Sequence, residues 1–111
     1  MIHVYINRSK DGYIRSFKMS GHAYYHEPGK DIVCAGASAV SFGTVNAIEA
    51  LAKVKPVIDM KEKGFLYVEL PEGIDSESFE KAQLLLEGML VSLQTIERDY
   101  GHYLRIHDQS F

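Results

Sequence analysis

The 111-residue chain has one cysteine, three prolines and no tryptophan. A single cysteine closes no internal disulfide, so a reducing compartment, the cytoplasm, is expected. Charge of neither sign dominates. Twelve Lys and Arg against fifteen Asp and Glu leave a net −3, with no basic patch to meet a phosphate backbone, which argues against direct nucleic-acid binding. Long apolar runs are lacking too. No stretch approaches the ~20 residues of a membrane span, and Met1–Ile6 has neither the basic head nor the apolar core of a secretion signal. Without repeat, linker or low-complexity tract, the length leaves room for one domain, residues 1–111. A domain of this size buries enough surface to stand without disulfides.

What is present alternates between strand and helix periods. Ile2, Val4 and Ile6 alternate with polar neighbours, as in a half-buried strand. Ser9-Lys10-Asp11-Gly12 reads as a hairpin turn, followed by a strand over Tyr13–Ser20 with Tyr13, Arg15, Phe17 and Met19 on one side. Gly21–Lys30 is an aperiodic loop, too long for a simple turn. Asp31 is placed to cap a helix from about Ile32 to Lys53. No charged residue falls between Asp31 and Glu49, so that helix is expected to be covered on more than one side. Val57–Met60 and Phe65–Leu70 form a second hairpin around Lys61–Gly64. Asp75 or Ser76 caps a second helix that runs to about Tyr100 and stops at Gly101, and a last strand spans Tyr103–His107. The order ββαββαβ gives an α+β sandwich, two helices on one face of a mixed or antiparallel sheet.

Chemistry concentrates in one segment, from Gly21-His22-Ala23 through Asp31-Ile32-Val33-Cys34 to Ser38. With Asp31 as cap, Cys34 is the third helical residue. Free N–H groups at a helix start favour a thiolate and can donate to an oxyanion, and His22 lies upstream as a base. Each residue has a plainer reading. Cys34 can be a small buried hydrophobe, His22 a loop histidine without a role, Asp31 only a cap rather than an orienting carboxylate for His22, and Ser38 a small packing residue. A metal site from His22, His26, Asp31 and Cys34 is disfavoured, because the histidine pair sits in a loop broken by Pro28-Gly29 and structural zinc usually takes more than one cysteine. A redox sensor would lack a resolving thiol within the chain. His3, His102 and His107 lie near strand ends and carry no separate signal.

Gly21-His22-Ala23, a spacer, then Asp31-Ile32-Val33-Cys34-Ala35-Gly36-Ala37-Ser38-Ala39-Val40 resembles the signature of the ribosomal-processing cysteine proteases, the Prp (YsxB-like) family. The resemblance continues through Ser41–Ile48 and Met89–Ile96 and covers essentially the whole chain. It implies a homodimeric cytoplasmic protease whose partner is its substrate, the N-terminal extension of large-subunit ribosomal protein 27, cut after an aromatic, Phe-Phe-containing stretch. It implies Cys34 as nucleophile and His22 as base, with Gly21, Asp31 and Ser38 in supporting roles, and neither cofactor nor metal. Tyr24, Tyr25 and Phe42 are candidates for lining the peptide pocket. The competing class is a non-catalytic ribosome-assembly module in which Cys34 merely packs.

Overall fold

The computed structural model describes residues 1–27, 29–60 and 63–110. Pro28 of the predicted loop and Lys61 and Glu62 of the predicted second turn lie outside them. Five strands form one sheet: β1 (Ile2–Arg8), β2 (Ile14–Gly21), β3 (Val57–Asp59), β4 (Phe65–Glu69) and β5 (Leu104–Ser110). Their spatial order is β3-β4-β2-β1-β5. β1 runs antiparallel to β2 and parallel to β5, and the remaining pairs are antiparallel, so the sheet is mixed. Two helices, α1 (Ile32–Ala47) and α2 (Ser76–Tyr100), complete the expected ββαββαβ order.

The core lies between sheet and helices. Val4 and Ile6 of β1, Phe17 of β2, Val68 of β4 and Leu104 of β5 meet Val33, Ala37, Leu86 and Leu93 of the helices, all buried. The alternation expected in β2 breaks at one point. Asn7 faces Ser16 but Arg8 faces Ile14, so Arg15 is an extra residue, a bulge. The bulge turns Ile14 into the core beside Phe17, while Tyr13 is exposed and Arg15 reaches outward to Glu72. Ile14's backbone is then served by a buried side chain: its N–H donates to Gln83 Oε1 (2.8 Å) and its carbonyl accepts from Gln83 Nε2 (2.7 Å). At the same end Arg8 donates to Glu87 (2.6 Å) and Asp108 (2.9 Å), tying β1 to α2 and β5.

α1 does not stay α-helical to Lys53. Residues Ile48–Ala52 widen into a π turn, and Lys53 ends it in the left-handed region (φ 59°). Helix and π turn together, Ile32–Ala52, reach 21 residues at mean hydropathy 1.3, which by length and composition is enough to cross a membrane. That corrects the expectation drawn from apolar runs, since Gly, Ser and Thr interrupt such a run while lowering the mean hydropathy only slightly. In the fold, Val33, Ala37, Ser41 and Val45 turn one side of this helix inward.

Candidate functional site

β2 delivers the site. Its last residue, Gly21, lies opposite Ile2 with φ +93°. A Cβ there would sit 2.3 Å from the Met1 carbonyl oxygen, so only glycine lets the chain leave the sheet at this point. His22 follows, half-buried. Ala23 is buried and anchors the loop to the core, and its N–H reaches Cys34 Sγ at 3.4 Å. Tyr24 is exposed with a left-handed backbone (φ 57°), its ring 5.8 Å from that of His22.

Asp31 joins loop to helix. One carboxylate oxygen accepts from Val33 and Cys34 N–H, both at 3.0 Å, and the other from Tyr25 (2.9 Å) and His26 (3.3 Å). Burial alone would raise this carboxyl's pKa, but the N–H donors of Cys34, His26, Tyr25 and Val33 outweigh it and hold the pKa below the ordinary carboxylate value. Asp31 is the expected cap, and one other expectation changes. Asp31 spends its oxygens on four backbone donors, as cap and loop tether. The Cys34 N–H, expected to be free for an oxyanion, is one of those donors. The N–H that addresses the sulfur comes from Ala23.

Cys34 is a half-buried free thiol. It lines, with His22, Ser38 and Lys63, both of two adjoining clefts. The larger, about 610 Å³, is bounded by Tyr24, His26 and Gly29 of the loop and by Asp31 and Ala35. The smaller, about 260 Å³, is bounded by Ile2, Met19, Phe42, Phe65 and Leu66, an apolar set. Of the three expected lining aromatics, Tyr24 and Phe42 are placed so. The Tyr25 ring instead packs edge-on against Tyr100 (5.5 Å) and Tyr103 (5.0 Å). Among the described residues no group of three or more His, Cys, Asp or Glu is arranged to hold a metal ion.

Lys63 and Gly64, from the turn between β3 and β4, also border the clefts, beyond the residues expected from sequence. Ile2, Met19, Phe65 and Leu66 were read as strand residues without a place at the site. No local signal marks them, because they arrive through the pairing of β2 with β1 and β4.

Two clefts that meet at one thiol leave room on either side of it, an arrangement that suits a thiol peptidase. The comparisons name the group. The model of the family described as "Cysteine protease Prp" matches residues 1–105, and the chain belongs to this family and is a cysteine protease. A relative from Bacillus subtilis (strain 168), the ribosomal processing cysteine protease Prp, is 54% identical over 107 residues, covering 96% of each chain. Two Staphylococcus aureus structures of the essential ribosomal processing protease Prp are also similar. One, with a covalently linked product peptide, has TM-score 0.88 and 43% identity, covering 98% of this chain and 100% of that one. The other, with a substrate peptide, has TM-score 0.84 and 41% identity over the same shares. Membership of a protease family favours the enzyme over the binding module.

Proposed function

We propose that this protease removes the N-terminal extension of large-subunit ribosomal protein 27 in the cytoplasm, with Cys34 as nucleophile and His22 as general base. The observation that carries the reading is the shared wall: Cys34 and His22 both line the two clefts, and a backbone N–H addresses the sulfur. The apolar smaller cleft suits an aromatic side chain beside the scissile bond, as the family's Phe-Phe preference requires. Relatives named for ribosomal processing, solved with substrate and product peptides, support the substrate class.

In this mechanism His22 takes the thiol proton, and the sulfur forms a bond to the peptide carbonyl carbon. The Ala23 N–H, which donates to the sulfur, stabilises the thiolate that His22 leaves behind. The C–N bond breaks, His22 returns the proton to the leaving amine, and a thioester remains. Water, losing a proton to His22, then splits the thioester into carboxylate and thiol. Gly21 fixes the exit from the sheet, Asp31 holds loop and helix start together, and Ser38 forms part of the wall. The loop through Tyr24, His26 and Gly29 sides the larger cleft, so its position governs access.

The test is cleavage of a peptide copied from the host extension by wild type, Cys34→Ala and His22→Ala, with products identified by mass spectrometry. One cut, lost in both variants, is expected. Cleavage surviving Cys34→Ala would sink the assignment. The same proposal includes a homodimer, supported by the exposed, uncharged outer side of α1, where Ile32, Ala39 and Gly43 face outward.

A further inference from the structure

We propose that Gly64, in the turn between β3 and β4, is a positioning residue for His22. The inference rests on the reading of His22 as the base and adds a second support to it. An ideal Cβ on Gly64 would lie 2.7 Å from both Cε1 and Nε2 of His22 and 3.3 Å from the Gly21 carbonyl oxygen. The imidazole edge therefore rests on a bare Cα. The same residue fixes the chain behind the ring, because Gly21 N–H donates to the Gly64 carbonyl at 2.9 Å. Gly64 reaches this place because Ser20 of β2 pairs with Phe65 of β4, which carries the ladder one step further to Gly21 and Gly64. The backbone just before His22 and the His22 ring are thus both registered against one glycine, far from them in sequence. Any side chain at 64 displaces the ring that must meet the Cys34 sulfur, and small displacements of a reacting group lower rates steeply.

Alanine at 64 also carries backbone strain, since Gly64 has φ +77°. Gly73 provides the control: it has the same φ of +77° but nothing within 4 Å of its ideal Cβ. In steady-state cleavage of the extension peptide, Gly64→Ala is expected to lower kcat about tenfold or more with little change in KM, while Gly73→Ala leaves both unchanged. The pH profile of Cys34 alkylation by iodoacetamide, which needs no substrate, is expected to move toward that of His22→Ala in Gly64→Ala and not in Gly73→Ala.

Thermal unfolding keeps the proposal testable even if Gly64→Ala folds poorly. In a His22→Ala background the ring is gone and only the Gly21 carbonyl contact remains, so the Tm loss from Gly64→Ala should shrink toward that of Gly73→Ala. Equal Tm losses in both backgrounds, or wild-type kcat and alkylation profile in Gly64→Ala, overturn the positioning role. If His22→Ala is inactive while Gly64→Ala behaves like Gly73→Ala, only the positioning role falls. If His22→Ala cleaves like wild type, the base assignment falls and takes this inference with it.

Discussion

Asp31 holds four backbone donors on two oxygens, so replacing it separates two effects. Asparagine keeps one acceptor for the helix start but turns an amide N–H₂ toward the N–H groups of Tyr25 and His26. Asp31→Asn should lose about 1–2 kcal/mol of stability near neutral pH. Because the folded carboxyl titrates below its unfolded value, its contribution is fully present above the unfolded pKa near ~4 and disappears as pH falls through the lower folded pKa. The stability gap between wild type and Asp31→Asn, measured by urea unfolding, should therefore narrow from about pH 5 downward; a constant gap would show that the charge is not what matters. At this scale the sequence was informative where partners are close along the chain. His22, Asp31 and Cys34 fall within one short segment, and cap spacing places Cys34 in the first helical turn. The Asp31 bonds to Tyr25 and His26 were hidden, because the loop has no periodicity that predicts which N–H groups turn inward. Gly64 was hidden for another reason: its contact with His22 depends on β4 lying beside β2, which no local pattern encodes.

Element by element, the period of each segment predicted its type, and departures mark places where tertiary contacts overrule the period. β2 is the clearest case. A strict alternation would leave Ile14 on the polar face, but the bulge at Arg15 turns it into the core. The displaced backbone is satisfied by Gln83, a polar residue that α2 would otherwise have no reason to bury. Gln83→Leu should thus cost about 2–3 kcal/mol, because it strands a buried N–H and a buried carbonyl at once. Chemical denaturation measures this, and a loss no larger than that of an exposed substitution would mean that water takes over both groups. The strand continues from this end to Gly21, so cleavage by folded Gln83→Leu enzyme is expected to remain, with destabilisation the main effect. α1 departs from its period at the far end, where the π turn and left-handed Lys53 redirect the chain to the edge strand β3. That change of direction has no signal in Ile48–Ala52, whose residues all favour or tolerate an ordinary helix.

For the whole molecule, the two outer surfaces differ in kind. The back of the sheet carries polar and aromatic groups that serve one another: His3, Tyr5 and His107 stack, with Lys18 Nζ 4.7 Å from the centre of the Tyr5 ring. The helix layer exposes an uncharged band beside the charged ends of α2. α1 is uncharged over its whole length, and between it and α2 runs a groove of about 350 Å³ lined by Val40, Gly43, Thr44, Leu84 and Gly88. Leu84 is 75% exposed and Val91 62%. Small residues on both helices permit close backbone approach, and an apolar stripe on α2 continues the uncharged one on α1, which suits a self-complementary contact with a second copy. Leu84→Glu tests that contact without touching either cleft. As Leu84 makes little of the folded core, monomer stability should change by no more than about 0.5 kcal/mol. Two copies related by a two-fold axis would each bring a carboxylate into the same apolar seam, and dimer dissociation should strengthen by at least about tenfold. Sedimentation equilibrium across a concentration series reads the difference directly. Wild type that stays monomeric throughout would remove the dimer, while a Leu84→Glu protein that dimerises like wild type would move the interface elsewhere, with the back of the sheet the next surface to alter.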